Sequence, residues 1–434
     1  MRTQLIIGLA LLSLSPNSAK ALTIDQAVND ALKFNPQIQQ FFELENAAVS
    51  RSAQAEAPFW PRIDTNYSYW RGDRDPSLDS QELSLAETSA SYNLFNGGSD
   101  WFRLQEAKHL ASAANYKYQS IVADVILEVK DAYIRVLRAE RTVETEAKGL
   151  ELLEKQRHET QLRLDQGLLA RNDLLRVDVE MATAQQILET AKGRFEIARN
   201  TLARTLGRPL DGKELLSDLT LEPVAPESEE ELSREMFARR SELKFLYSLL
   251  DAQKAGKKAV RGYLLPEVDL VLSYYRFGDH GLPQTSDPDY DSESKAVLQA
   301  SWTLFSGFDT RHELVGREHE IRARQKEVKA TEDELTLQLQ TALEAFRVSE
   351  RNLATAETAE LQAEENYRVN DNRYKANIAT TVDLLDAQEF LTRARNERVK
   401  ALYDLHLSAV VIERVLEHEQ SLQLRSRNAW LGLR

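Results

Sequence analysis

The chain has 434 residues, with 55 Lys and Arg against 69 Asp and Glu, a formal charge of -14 and no cysteine. The acidic balance argues against a phosphate-backbone partner, so no nucleic acid is expected. The missing thiols exclude disulfides, thiolate metal sites, thiol catalysis and an N-terminal lipid-anchored cysteine.

Residues 1–21 read as a signal peptide, with Arg2 as the positive start, a short apolar run from Leu5 to Leu14, and Ala19-Lys20-Ala21 as the cleavage site. That run is too short to span a bilayer, and no later stretch of about 18 apolar residues follows. Membrane insertion must therefore use strands.

Two alternating runs come next. Ile63, Thr65, Tyr67 and Tyr69 interleave with polar residues, as do Thr88, Ala90, Tyr92 and Leu94. Period two with one apolar face predicts strands. They bracket the polar loop "GDRDPSLDSQE" and run into "NLFNGGSD", read as a strand-to-helix joint anchored by Leu94 and Phe95 and turned at Gly97.

No proline occurs between Pro76 and Pro209, and Gly149 is the only glycine between Asp100 and Gln166. A helix from the Gly97 region to the Gly167 region would run roughly 100 Å at 1.5 Å per residue. The apolar pattern breaks near Gly167 and resumes toward Leu206, which predicts a helical hairpin with its tip at "QGLLARNDLL".

Every one of these features returns. Strand-like alternation recurs at Val268, Leu270, Leu272 and Tyr274, and at Ala296, Leu298, Ala300, Trp302 and Leu304, around the loop "GDHGLPQTSDPDYDSES". "TLFSGFDT" puts Leu304, Phe305 and Gly307 each 210 residues after Leu94, Phe95 and Gly97, and Asp383 lies 210 after Asp173. Leu314, Ile321, Val328, Leu335 and Ala342 recur every seven residues, joined by Leu339, Phe346 and Leu353, the spacing of a coiled-coil seam. The chain is a tandem duplication: repeat 1 over 22–208, a linker over 209–231, repeat 2 over 232–418 and a tail over 419–434. Asn377 marks the second tip, since asparagine tolerates the left-handed geometry that glycine adopts freely.

Four strands of about ten residues can cross an outer membrane, yet the smallest bacterial barrels have eight. Two chains would give eight strands and three would give twelve, and only the larger ring keeps an open lumen. The expected fold is an α+β membrane protein, a tandem structural repeat whose copies each carry two transmembrane β-strands and long coiled-coil helices. No enzyme is expected: "RHELVGREHE" places His312 and His319 on one helical face without the H-E-x-x-H spacing, and phosphate-binding and nucleophile-elbow motifs are absent. A soluble periplasmic coiled-coil adaptor or rod would explain the helices and the signal peptide, but not the strands.

In order, "TIDQAVNDALKFNPQI", "PFWPRIDTNYSY", "GYLLPEVDLVLSYY", the two LF-x-G joints and both tips resemble the TolC family of outer-membrane efflux and secretion channels over nearly all of the mature chain. The resemblance implies a homotrimer in outer-membrane lipid, with a twelve-stranded barrel continued by a periplasmic α-helical tunnel. It implies that the tips dock a periplasmic membrane-fusion adaptor, which links the duct to an inner-membrane pump of RND, ABC or MFS type. The cargo would be small molecules, or polypeptides in type I secretion. No cofactor or metal is implied. Carried over by position, the adaptor-docking tips fall on Gly167, Leu168 and Asp173, and on Asn377 and Ile378. The periplasmic gate falls on Tyr374, Asp383 and Asp386. The chain departs from the family at Ala379, where an arginine is expected, and at Asn377, where glycine is usual.

Overall fold

The computed structural model describes residues 21–72, 82–211, 214–219, 228–284 and 291–417. The signal-peptide reading apart from Ala21, the centres of both polar loops and the tail over 419–434 lie outside the described residues.

The elements follow one order twice. In the first copy α1 (Ile24–Phe34) and α2 (Pro36–Gln54) lead into β1 (Arg62–Arg71) and β2 (Glu82–Asn96), then α3 (Ser99–Asp165) and α4 (Arg171–Leu206). In the second, α5 (Glu229–Arg239) and α6 (Ser241–Gly262) lead into β3 (Glu267–Gly278) and β4 (Ser292–Ser301), then α7 (Asp309–Lys375) and α8 (Thr381–Leu416). Both long helices have 67 residues and both returning helices have 36. No helix among the described residues is long and apolar enough to cross a membrane.

Two compact bodies make up the chain. One holds α1, α4, most of α3 and α8 and the C-terminal half of α7. Val125, Val129, Ala132, Val136, Ala342 and Phe346 are buried in it at their seam positions. Its chain start is pinned by a parallel bridge between Leu22 and Leu216, and the Tyr133 hydroxyl lies 2.7 Å from the carbonyl oxygens of both Leu22 and Ser217. Burial pushes that phenol well above its usual range, so it stays a donor.

The other body holds the sheet and the helix segments leading into and out of it. The sheet is antiparallel in the order β1-β2-β3-β4. Its central pairing joins the two copies, with Thr88 opposite Tyr274 and Ala90 opposite Leu272. Among the described residues, the outer edges of β1 and β4 pair with no strand.

Three strands are longer than the alternating runs suggest, and one stops short. β2 continues through Phe95 to Asn96 because Val268 and Glu267 of β3 pair with them, past a bulge at Leu94. β4 ends at Ser301, so Trp302 and Leu304 fall outside it, contrary to the alternation read from sequence. At the first joint β3 supplies a partner for β2 beyond the start of β1, and among the described residues no strand does so for β4 at the second.

Candidate functional site

The two joints differ for the same reason. Gly97 and Gly98 are both left-handed, with φ of 68° and 76°, and Gly97 packs against the backbone of Gly262. In the second copy Gly307 and Phe308 both have φ of 66°, and a Cβ on Gly307 would meet nothing within 4 Å. Leu304 and Phe305 are 78 % and 72 % exposed. Leu94 and Phe95 at the first joint are less exposed, at 50 % and 46 %.

Both hairpin tips close with one device. Gly167 N–H donates to the Leu164 carbonyl and Leu168 N–H to that of Arg163, each at 2.9 Å, while Gly167 sits at φ 71°. Asn377 N–H donates to Tyr374 at 3.0 Å and Ile378 N–H to Arg373 at 2.8 Å, with Asn377 at φ 59°. These are Schellman closures, which satisfy the last carbonyls of a helix and require the left-handed residue. They leave Leu168 and Ile378 62 % and 68 % exposed.

The returning helices start unequally. Asp383 accepts from Thr380 N–H at 2.8 Å and Thr380 Oγ1 at 2.7 Å, while Asp383 N–H donates to Thr380 Oγ1 at 3.2 Å, a complete capping box. Those bonds hold the Asp383 carboxyl below its ordinary range. In the first copy the cap residue is Ala170, and only the reciprocal half survives, Ala170 N–H to Asp173 at 3.3 Å. Asp386, one turn on, is exposed.

Tyr374 is buried to 1 % exposure inside the chain's own pair of hairpins. Its hydroxyl lies 3.3 Å from Thr160 Oγ1, and the Arg163 guanidinium stands 4.4 Å from its ring centre. Arg163 Nη1 also donates to the Tyr374 carbonyl and to Asn377 Oδ1, each at 3.0 Å. The structure thus brings Tyr374 and Asn377 together around Arg163, a residue that sequence reasoning passed over. The signal was present: Arg163 and Arg373 are 210 apart, so both copies place an arginine four residues before the tip. Ala379 carries no charge, and Arg163 brings a second guanidinium to the turn from the other hairpin, beside the tip's own Arg373.

Paired strands on a duplicated frame, each pair followed by a long helical hairpin, define a channel-forming protein of the bacterial outer membrane. The sequence matches the family described as "Outer membrane efflux protein" over residues 27–208 and 232–416. The chain belongs to that family. It is 25% identical over 425 residues to "Alkaline protease secretion protein AprF" of Pseudomonas aeruginosa, covering 91% of this chain and 84% of that one. It is 21% identical to "Outer membrane protein TolC" of Escherichia coli, covering 95% and 85%. The solved CmeC outer membrane channel of Campylobacter jejuni superposes with a TM-score of 0.81 at 14% identity, over 93% of this chain and 88% of that one. The four-stranded sheet and the family set aside the soluble adaptor.

Proposed function

We propose that three copies of this chain form the outer-membrane duct of a tripartite export system, a twelve-stranded barrel continued by a helical tunnel. The open sheet carries this reading. Backbone groups facing lipid must be paired, and β1 and β4 each present an unpaired edge, so a ring of copies is required.

The duplication supplies the register of the missing pairing. From β2 to β4 the step is 210 residues, and from Pro61 to Pro266 at the entry of β1 and β3 it is 205. Transferring the in-chain pair Thr88 and Tyr274 therefore sets Leu298 opposite Tyr69 of the next copy. The same transfer sets Thr303 opposite Asp64, where the chain itself has Asn93 Nδ2 donating to Asp269 at 2.8 Å. It also extends β4 through Trp302 and covers the exposed second joint.

In this assembly the exposed tips, Gly167, Leu168 and Asp173 with Asn377 and Ile378, dock a periplasmic membrane-fusion adaptor, which recruits an inner-membrane pump of RND, ABC or MFS type. At the periplasmic entrance Asp383 and Asp386 are exposed and face the opening, while Tyr374, buried between the chain's own hairpins, acts in the gate from behind them. The exported cargo is small molecules. The likeness to a protein named for alkaline protease secretion supports polypeptide export as a second reading.

Because the chain has no cysteine, single pairs of thiols report cleanly. L298C with Y69C should give a reducible covalent trimer, whereas L298C with Y67C, displaced by about 7 Å along the strand, should not. A monomer or dimer under gentle detergent extraction, or the reverse cross-linking pattern, defeats the proposal.

A further inference from the structure

Successive residues of a strand point to opposite faces, and the registers sort the sheet into two. Ile63, Tyr67, Leu270, Leu272, Tyr274 and Leu298 lie on one face, and Asp64, Asn66, Asn93, Asp269, Lys295 and Gln299 on the other. On the proposed barrel the first face meets lipid and the second lines the lumen.

Toward the loops both faces invert. The lipid face turns polar, with Arg71, Glu82, Ser84 and Arg276, as a wall must where it leaves hydrocarbon. The lumen face turns apolar, and departure from the membrane does not explain that, because a lumen is wet along its length. Trp70 stands opposite Leu83, and Leu85 opposite Phe277. Tyr275 and Phe277 stack with ring centres 6.3 Å apart and planes 23° apart. Trp70 and Leu83 remain exposed.

Over its described part, the loop after β3 turns away from this patch. The Tyr67 hydroxyl donates to the Gly281 carbonyl at 2.7 Å, and Ser84 Oγ donates to the Leu282 carbonyl at 2.8 Å. Both donors belong to the lipid face, so this stretch of loop lies on that side.

Negative charge stands beside the rings. Glu87 and Glu293 are the two cross-strand neighbours of Tyr275 and share its face, which sets their Cβ atoms roughly 5 Å from that of Tyr275. Neither carboxylate is paired with a cation among the described residues. The arrangement is not duplicated: the residues 210 after Leu83 and Leu85 are Glu293 and Lys295, so a trimer carries three such patches, one per chain.

We propose that the Tyr275 and Phe277 rings, Trp70, and the Glu87 and Glu293 carboxylates form a binding site for aromatic organic cations on the lumen wall, at the outer end of the barrel. This rests on the trimeric duct and names a class of cargo for it. An aromatic cation uses both halves of the site, since its ring packs on the apolar patch and its charge sits against ring faces between two carboxylates. A small cation without a ring gains little from the patch. An aromatic anion is repelled by the carboxylates.

The test uses trimers in planar bilayers, with probes added on the side of the loops. Benzyltriethylammonium is the matched probe, tetraethylammonium the cation without a ring, and benzenesulfonate the ring of opposite charge. Half-block by benzyltriethylammonium should need about tenfold less probe than half-block by either of the others. Y275L/F277L keeps apolar bulk without the ring faces and should remove most of the advantage over tetraethylammonium. E87Q/E293Q should remove most of the advantage over benzenesulfonate. If Y275L/F277L yields no trimer, W70L carries the same comparison.

A parent channel that conducts but does not discriminate among the probes overturns the site and leaves the duct standing. Discrimination unchanged in the ring variant or in E87Q/E293Q overturns it in the same way. If the purified parent chain forms no conducting trimer, the export reading falls and the site falls with it.

Discussion

Gly97 and Gly262 meet backbone to backbone at the first strand-to-helix joint, and a Cβ on Gly97 would overlap the Gly262 carbonyl. Gly97 also holds φ at 68°. G97A therefore meets both a backbone clash and left-handed strain, and assembled trimer should be lost from the outer membrane. G193A is the control: Gly193 sits within α4 with nothing near its Cβ position. Replacing an unpacked helical glycine should stabilise the chain by roughly 0.5–1 kcal/mol. Equal trimer yields for the two variants would show that the joint tolerates a side chain.

Phe308 occupies the position of Gly98 at the second joint and keeps a left-handed φ of 66°. Left-handed geometry costs an L-residue about 1–2 kcal/mol. Phe308 packs edge-on against Phe305 with ring centres 5.4 Å apart, worth about 0.5–1.5 kcal/mol beyond buried area. F308A keeps the strain and loses the contact; F308G loses both. Heat dissociation of the trimer should therefore place F308G above F308A, and the opposite order would mean that left-handed strain at this position does not limit stability.

His406 is buried on α8 with its ring centre 5.9 Å from that of Tyr403. Burial pulls its pKa below the ordinary 6.5, and the nearby Asp218 charge pushes back without cancelling the shift. The unfolded chain thus takes up a proton that the folded chain refuses, so stability is present above 6.5 and declines as pH falls below it. Thermal dissociation followed between about pH 5.5 and 7.5 should show an acid loss in the parent chain that H406Q reduces. Parallel curves for the two would assign the loss to other groups.

Asp383 and Asp386 share the start of α8 but are held differently. Asp383 is bonded to Thr380, and Asp386 is exposed. Repeated three times around a narrow entrance, Asp386 would concentrate negative charge. A trivalent cation such as hexamminecobalt(III) on the periplasmic side should then block current, and D386A should weaken that block by roughly tenfold or more. Unchanged block in D386A and in D383A/D386A would place the constriction elsewhere.

The duplication, the four strands and both hairpins were legible because long periodic segments betray their period, and because Leu94 and Leu304 or Asp173 and Asp383 keep one spacing. The ends of strands were less so. On the proposed trimer, whether Trp302 belongs to β4 depends on a neighbour supplied from outside the chain, which no pattern within β4 encodes. At the tips, the turn residues Gly167 and Asn377 were readable from backbone chemistry alone. The Arg163 clamp was not, because residues so far apart in sequence meet only once two hairpins pack. Asp383 could be placed at the tip, but its engagement with Thr380 emerges only from the helix start.

The unpaired edges of β1 and β4 also have a genetic consequence on the proposed trimer. A ring closes only when every member offers both edges, so one chain with a damaged edge spoils its two companions. In a cell making normal and edge-damaged chains equally, random mixing leaves roughly one ring in eight free of the damaged form. Mutations in these strands should therefore behave as dominant, while lesions that keep a chain from reaching the ring should be recessive.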